Sequence, residues 1–400
     1  MSSGDVWIIG TAMTKFGRFP DRDELDLASE VALGALADAD TSVKDMGVLA
    51  VGNMYKADSH NAQRLQKQIG QTGIPAYNVL NACATGATAI RVAWLSILAG
   101  ETDFGLAVGV EQMGKMGMLG GAAKAKPERK VYEPKGRYGS VSRTEGVLGT
   151  GLMPGVFAQA GTEYAIQHGV SFEQFAEVAR KNHAHSVLNP LAQYRKEFSL
   201  EEITGAEVIS YPNTLPMCCP TGDGAAAVVL VSDAKLKTLD PDVRRRAVKI
   251  SASVLTSDPW SETGLVQPDV NTLTRQAADT AYQRAGIGPE DLDLVELHDC
   301  FATAELLHYD NLRLCEPGGA GDFISSGAPW RDGKTPVNVS GGLLSKGHPI
   351  GATGVANLFE VVTHLRGEAG DRQIEGARVG LTHVIGLASA CAIHILERAA

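Results

Sequence analysis

The stretch that decides the fold runs from residue 74 to residue 100 and reads IPAYNVLNACATGATAIRVAWLSILAG. Its first part, Ile74–Leu80, predicts a short strand. Its last part, Ala84–Ala99, is apolar and is followed by glycine, which predicts a helix. Cys83 therefore lies where a strand gives way to a helix, and the helix dipole at that position favours the thiolate. A buried structural cysteine is the alternative interpretation of the same pattern.

Two further motifs follow predicted strands in the last quarter of the chain. Leu292–Leu297 predicts a strand that ends in His298-Asp299-Cys300-Phe301, and Pro336–Val339 predicts one that enters a glycine-rich turn containing Gly347-His348-Pro349. A single histidine at a strand end is more often a satisfied polar residue than a catalyst. Reactive groups of open α/β sheets, however, gather at the carboxyl ends of strands. The candidate catalytic residues are therefore Cys83, His298, Cys300 and His348.

These motifs resemble those of the thiolases, specifically the sterol-carrier-protein type, which has His-Asp-Cys-Phe where other thiolases have Asn-Glu-Ala-Phe. The resemblance extends over essentially the whole chain, and the last two of its blocks are the most specific. It is carried by Ile8-Ile9-Gly10, Thr14-Lys15-Phe16-Gly17, Asn81 to Gly86, Lys181-Asn182-His183, Asn189-Pro190, Cys219 to Ala226, His298 to Phe301 and Gly347-His348-Pro349. It implies the α/β thiolase fold, with two similar βαβ-built halves in α-β-α-β-α layers and an inserted loop domain.

The sequence itself shows two similar halves. Val6–Ala12 and Val248–Val254 each open a half with a predicted strand, and an amphipathic helical pattern follows in both, at Leu25–Ala39 and Leu273–Gly286. The later alternation of strands and helices favours parallel βαβ units. Apolar helices behind the two catalytic turns, Ala84–Ala99 and Gly351–Arg366, are expected between two sheets. The predicted boundaries are residues 1–113 and 204–240 for the N-terminal half, 114–203 for the insertion and 241–400 for the C-terminal half.

The insertion contains a basic stretch followed by helical patterns at Phe157–His168 and Phe172–Leu188. The basic residues are Lys124, Lys126, Arg129, Lys130, Lys135 and Arg137. A solvated loop is the ordinary interpretation of any one of these charges. In thiolases the matching insertion covers coenzyme A, so the resemblance implies an acyl-CoA bound between the insertion and the catalytic turns.

The resemblance also implies a role for each candidate residue. Cys83 is the nucleophile that holds an acyl group, and His348 activates it. His298 occupies an oxyanion site, and Cys300 is the acid/base at the thioester α-carbon, for which a thiol with an ordinary pKa of about 8.5 is suited. The leading function is an acyl-CoA C-acyltransferase. The resemblance implies coenzyme A and acetyl-CoA as substrates, and no permanently bound cofactor is expected.

One departure from the family pattern leaves alternatives open. Most thiolases take their acid/base cysteine from a C-terminal Cys-x-Gly turn, but here Gly380 falls at the cysteine and Thr382 replaces the glycine. Cys300 replaces that cysteine, or the thiolytic activity is lost or altered. A retro-aldol carbon–carbon lyase, a ketoacyl synthase and a non-catalytic acyl-CoA-binding protein are the other hypotheses. Cys391 is expected within a core strand.

Composition restricts the classes of function and the cellular location that the chain can have. The chain has 400 residues and a formal net charge of −10, which argues against non-specific nucleic-acid binding. No apolar run approaches a membrane span, and Met1–Asp5 has no secretory character, so a cytoplasmic protein is expected. The six cysteines have no paired ligand spacing, so no metal is expected, and Cys218 and Cys219 are interpreted as packed residues near the site. The family likeness implies a homodimer or a dimer of dimers, and some relatives work with small OB-fold proteins.

Overall fold

The fold was analysed in a computed structural model that describes residues 4–114, 152–259, 270–387 and 390–399. The strands are β1 (Val6–Met13), β2 (Val48–Gly52), β3 (Ala76–Val79), β4 (Phe104–Gln112), β5 (Val208–Ser210), β6 (Asn213–Thr214), β7 (Asp223–Ser232), β8 (Val248–Thr256), β9 (Leu294–Glu296), β10 (Val379–Gly386) and β11 (Ala390–Arg398). The helices are α1 (Glu24–Asp38), α2 (Asn61–Gly70), α3 (Thr85–Leu98), α4 (Leu152–His168), α5 (Phe172–Val187), α6 (Leu200–Thr204), α7 (Asp233–Leu236), α8 (Pro241–Arg246), α9 (Val270–Ala285), α10 (Ala302–Asn311), α11 (Ala320–Ser325), α12 (Gly342–Ser345) and α13 (Ile350–Arg366).

The two halves of the chain contribute to one mixed nine-stranded sheet. Its strand order is β3-β2-β4-β7-β1-β8-β11-β10-β9, so the halves meet where β1 pairs with β8. That junction is short, because only Trp7 with Lys249 and Ile8 with Val248 are in register. The expected parallel units are present at both edges, in β3-β2-β4 and in β10-β9. The inner strands are antiparallel, so the sheet as a whole is mixed.

The helices α3 and α13 lie between the strands of the two halves. Each contacts strands of both halves, as well as the other helix. Glycines allow this close approach: a methyl group on Gly86 would lie 2.6 Å from the carbonyl oxygen of Gly351, and one on Gly354 would lie 2.8 Å from the Cβ of Ala87. The sequence prediction of a central helical layer is confirmed, and the layer places the N-terminal ends of both helices side by side.

The outer helices and the insertion complete the layers. α1 packs against β1, β4 and β7, whereas α9 packs against β8 and β11. The described helices of the insertion, α4 and α5, pack on α10 of the C-terminal half. The predicted helices agree with the structure to within a few residues. The basic stretch predicted at Lys124 to Arg137 lies outside the described residues, and the domain boundaries stay a prediction.

The strand predicted at Pro336–Val339 is reduced to a single bridge between Val337 and Val295. The chain cannot continue as a strand, because Asn338 has a positive φ of 54° and Gly341 one of 97°. The backbone therefore turns away from β9 and enters α12. This turn brings the following segment, which contains His348, back towards the sheet.

Candidate active site

Cys83 lies on a tight turn between β3 and α3. The hydroxyl of Thr85 accepts the N–H of Asn81 at 2.8 Å and donates to the carbonyl of Ala82 at 2.6 Å. Ala82 has a φ of 47°, a conformation that costs a non-glycine residue about 1–3 kcal/mol and is concentrated at functional sites. The predicted strand-to-helix position of Cys83 is confirmed, and the thiol is only 1% exposed.

His348 lies just before the first turn of α13, and its Nδ1 contacts the hydroxyl of Thr353 at 2.7 Å. The same hydroxyl oxygen lies 3.0 Å from the carbonyl of Pro349. When the hydroxyl donates its proton to that carbonyl, Nδ1–H is the donor of the bond to Thr353 and Nε2 carries the lone pair. Nε2 has no hydrogen-bond partner among the described residues. An imidazole in this tautomer can accept a proton at Nε2.

Cys83, His298 and His348 meet in one buried cluster. The sulfur of Cys83 and a ring nitrogen of each histidine all lie within 4.8 Å of one another. The two imidazole rings are edge to face, with centroids 5.3 Å apart. Neither ring nitrogen of His298 has a partner in the described part of the chain. Three residues that are distant in sequence thus bring a thiol and two imidazole nitrogens within 4.8 Å of one another.

Burial controls the protonation of this cluster. Burial, followed by the negative charge of Glu111, raises the pKa of the Cys83 thiol to about 12. Burial therefore opposes the thiolate that the helix dipole favours. Burial, with a smaller effect of Lys346, lowers the pKa of His348 to about 3. The site at rest is a neutral thiol beside a neutral imidazole.

Glu111, at the end of β4, is a member of the site that the sequence analysis missed. This 1% exposed carboxylate accepts the side-chain amide of Asn53 at 3.0 Å and the backbone N–H groups of Met54 and Gly351 at 2.9 and 3.2 Å. Burial outweighs these hydrogen bonds and raises the pKa of Glu111 to about 7. The sequence signal that could have identified Glu111 is a charged residue directly after the apolar run of β4.

Cys300 lies near the cluster but does not belong to the 4.8 Å group found among the described residues. Its carbonyl accepts the N–H of Cys219 at 3.0 Å, and its thiol is 2% exposed. Burial, together with the neighbouring Cys219 and Cys83, raises the pKa of Cys300 well above its ordinary value. The predicted second cysteine is therefore a protonated thiol within electrostatic reach of Cys83.

Asp299 connects the two turns that carry the histidines. Its carboxylate accepts the backbone N–H groups of Leu343 and Leu344 at 2.7 and 3.2 Å, and the amide of Asn182 at 2.8 Å. The same amide reaches Glu305, which pairs with the fully buried Lys181 at 2.9 Å. This polar network fixes the segment before His348 relative to His298 and anchors α5 of the insertion to both.

The C-terminal strands show where position 380 lies, at which the sequence lacks the cysteine of the Cys-x-Gly turn. A side chain at Gly380 would collide with Val361 of α13, so this position faces the core and not the site. His383 lies closer to the catalytic residues, because its Nδ1 accepts the backbone N–H of His298 at 3.4 Å. Cys391 is fully buried in β11, as expected of a structural residue.

A cavity of about 540 Å³ lies between the insertion and the segment before β7. The insertion contributes His183 and residues 193–196 and 198, and the opposite wall includes Cys218, Cys219 and Leu344. The volume is within the range of small-molecule sites. Cys219 links this cavity to the catalytic region, because it lines the cavity and its backbone N–H donates to the carbonyl of Cys300.

The family of the chain follows from comparison with known proteins. The model described as "Thiolase, N-terminal domain" matches residues 6–216, and the one described as "Thiolase C-terminal domain-like" matches residues 265–398. The chain belongs to the thiolase family.

Curated relatives fall into differently named groups. Sterol carrier protein 2 of Bos taurus is 39% identical over 98% of this chain, which spans 72% of that protein. An acetyl-CoA acetyltransferase of Methanothermobacter thermautotrophicus is 34% identical, with 98% of this chain and 100% of that protein covered.

Solved structures support the same fold. An Ltp2–ChsH2(DUF35) aldolase aligns with a TM-score of 0.80 at 22% identity, over 100% of this chain and 99% of that one. Human mitochondrial 3-ketoacyl-CoA thiolase in complex with CoA aligns with a TM-score of 0.73 at 20% identity, over 99% and 98%. At these identities the likeness establishes the thiolase fold. In the described part of the chain, no helix has both the length and the apolar character needed to cross a bilayer.

Proposed function

We propose that the protein is an acyl-CoA C-acyltransferase that makes or cleaves 3-ketoacyl-CoA through an acyl group on Cys83. The observation that carries the proposal is the proximity of the Cys83 sulfur to a ring nitrogen of His348 inside the 4.8 Å cluster, together with the lack of a hydrogen-bond partner for Nε2 of His348 among the described residues. A nucleophile within reach of a base, whose orientation a third group fixes, is the arrangement that covalent catalysis requires. Here the third group is Thr353.

The first half of the proposed reaction transfers the acyl group to sulfur. His348 Nε2 takes the proton of the Cys83 thiol, and the sulfur attacks the 3-keto carbon of the substrate. The Cα–Cβ bond then breaks, and its electron pair stays with the α-carbon of the departing acetyl-CoA. Cys300 gives its thiol proton to that carbon, which leaves Cys300 as a thiolate. The raised pKa of Cys300 supports this role, because an acid must hold its proton at rest.

The second half regenerates the enzyme. The Cys300 thiolate takes the proton of incoming coenzyme A, whose sulfur attacks the acyl group on Cys83. The Cys83 sulfur leaves and recovers its proton from His348. His298 is proposed to donate a hydrogen bond to the oxyanion in one of these steps, since its ring nitrogens are unpaired. Removal of one such donor typically costs about 3 kcal/mol of barrier.

The proposed substrate position follows from the arrangement of the insertion. We propose that the acyl-CoA lies between the insertion and the catalytic turns. The 540 Å³ cavity supports this position, because the insertion forms one wall and the opposite wall contains Cys219, whose N–H donates to the carbonyl of Cys300. A cytoplasmic location, a homodimer or dimer of dimers, and association with a small OB-fold partner also remain proposals. The aldolase with the same fold pairs Ltp2 with ChsH2(DUF35), and this two-component composition is compatible with a partner here.

A carbon–carbon lyase is the second candidate, and two observations favour it. Gly380 falls where the cysteine of the Cys-x-Gly turn is expected, and the fold aligns with that of the Ltp2–ChsH2(DUF35) aldolase at a TM-score of 0.80. A retro-aldol reaction needs no acyl-enzyme and no free coenzyme A. A non-catalytic acyl-CoA-binding protein is the third candidate and would bind the thioester without turnover.

A panel of CoA thioesters, assayed with and without free coenzyme A, separates the three candidates. The acyltransferase cleaves 3-ketoacyl-CoA only when free coenzyme A is present, and the Cys83→Ser variant is inactive. Cleavage of 3-hydroxyacyl-CoA without coenzyme A would instead establish the lyase. Binding without turnover of any thioester, unchanged in His348→Asn, would establish the non-catalytic protein.

A further inference from the structure

The catalytic cluster has a second chemical property, which depends on its geometry and not on acyl transfer. One sulfur and two imidazole nitrogens, from three separate segments, lie within 4.8 Å of one another. All three side chains are at most 3% exposed. The ring nitrogens of His298 and Nε2 of His348 have no hydrogen-bond partner among the described residues. Unpaired polar atoms in such a buried position are costly and point to a ligand.

The donor set is that of a zinc-class cation. Zn²⁺ prefers cysteine sulfur and histidine nitrogen, and open sites provide three protein ligands and leave the fourth position to water. The bond from Nδ1 of His348 to Thr353, at 2.7 Å, is the outer-shell contact that orients a ligating imidazole and directs its other nitrogen at the metal.

The surrounding charges are compatible with a cation. Glu111 is buried close enough to Cys83 to act on it electrostatically. Lys346, the positive group beside His348, pairs with the buried carboxylate of Glu296 at 3.3 Å. The nearby positive charge is therefore balanced, whereas Glu111 favours a bound metal.

We propose that Cys83, His298 and His348 form an inhibitory binding site for a divalent cation of the zinc class. On binding, the metal–sulfur bond of Cys83 replaces its S–H bond, the proton leaves to solvent, and each histidine contributes a lone pair without redox change. The inhibitory effect rests on the proposed function: the metal then occupies the nucleophile, its base and the oxyanion donor together, so it excludes acyl transfer. The sequence analysis expected no metal because the cysteines have no paired ligand spacing. Residues 83, 298 and 348 are far apart in sequence, so a spacing pattern could not indicate this site.

Cobalt(II) provides a direct test on the purified, metal-free full chain. Four-coordinate Co²⁺ absorbs in the visible region, and a cysteine ligand adds a sulfur-to-cobalt charge-transfer band. We expect both bands at one Co²⁺ per chain, and their loss on addition of Zn²⁺. The Cys83→Ser variant should lose the charge-transfer band, and His298→Asn should weaken binding. Thr353→Val should weaken Co²⁺ binding by about 10- to 100-fold.

The control is Cys300→Ser, which removes a nearby thiol outside the cluster and should keep both bands. Circular dichroism verifies the fold of each variant. Absence of the bands in the wild-type chain, or their persistence in a folded Cys83→Ser variant, would overturn the proposal. This readout contains no acyl-CoA, so its result is independent of the outcome of the acyltransferase assays.

Discussion

Cys83 and His348 lie at the N-terminal ends of two helices, α3 and α13, that touch where Gly86 faces the backbone of Gly351. The contact fixes the nucleophile relative to its base, although 265 positions separate them in sequence (348 − 83). The geometry of the site is therefore a property of helix packing in the central layer.

Gly86→Ala should disrupt this packing. Alanine favours a helix, but its methyl group would lie 2.6 Å from the carbonyl oxygen of Gly351. We expect the free energy of unfolding in urea to fall by about 1–3 kcal/mol, with a loss of activity. Leu95→Ala, on the exposed face of the same helix, is the control and should cost less. A Gly86→Ala variant as stable as wild type would show that the two helices need no glycine contact.

Thr353→Val should impair the base. Valine keeps the shape of threonine but removes the hydroxyl that hydrogen-bonds to Nδ1 of His348. Without this bond the tautomer with a free Nε2 is no longer favoured. We expect kcat/KM to fall about 100-fold, within the usual range for general-base catalysis, and the free energy of unfolding to fall by about 1–3 kcal/mol because a buried imidazole nitrogen loses its partner. Thr353→Ser restores the hydroxyl and should recover most of the activity. Equal rates for the valine and serine variants would contradict the assigned tautomer.

Glu111→Gln should make Cys83 more reactive. The charge of Glu111 contributes to the raised pKa of Cys83, so its removal increases the thiolate fraction at a given pH. We expect alkylation of Cys83 by iodoacetamide to be roughly three- to tenfold faster at mildly alkaline pH. Peptide mass mapping assigns the label. Glu101→Gln replaces an exposed glutamate and should leave the rate unchanged. A slower rate in folded Glu111→Gln would mean that the hydrogen bonds of the carboxylate matter more than its charge.

Asp38→Asn should weaken the junction of the two halves in a pH-dependent manner. Asp38 of α1 pairs with Arg246 at 2.7 Å and with Arg366 at 2.8 Å. Burial opposes ionisation, but these two arginines outweigh it and lower the pKa of Asp38 below its ordinary value of 3.8. A depressed pKa stabilises the fold above the unfolded-state pKa, and this contribution is lost as the pH falls through the folded-state pKa.

Urea unfolding of Asp38→Asn should therefore show a loss of about 1–2 kcal/mol at neutral pH, after allowance for solvent screening. The difference from wild type should shrink below pH ~4. Asp242→Asn breaks the exposed pair with Arg245 and should have almost no effect. A constant difference at all pH values would exclude the charged interaction as its cause.

Local sequence signals predicted the elements and the catalytic turn. The apolar run after Cys83 and the glycine that ends it defined α3, and the structure confirms both. The family motif then indicated that His298 and His348 belong with Cys83, and the 4.8 Å cluster agrees with this grouping. The proposed role of each residue stays a prediction.

Contacts between residues that are far apart in sequence could not be predicted in the same way. The antiparallel pairing of β1 with β8, which joins the halves into one sheet, leaves no local signal. The strand predicted at Pro336–Val339 does not extend beyond a single bridge, because the positive φ of Asn338 is incompatible with a strand although the neighbouring residues are apolar. Glu111 and Asp299 hold the site together by accepting hydrogen bonds from backbone N–H groups. Those N–H groups belong to residues that are far away in sequence, so no local pattern indicates the contacts.

The most direct measurement is the mass of the protein after incubation with acetoacetyl-CoA in the absence of free coenzyme A. An acyltransferase predicts one acetyl group per chain, located on Cys83 by peptide mapping, removed when coenzyme A is added, and absent in Cys83→Ser. Turnover of 3-ketoacyl-CoA by a chain whose Cys83 never carries an acetyl group, or by the Cys83→Ser variant, would contradict the account.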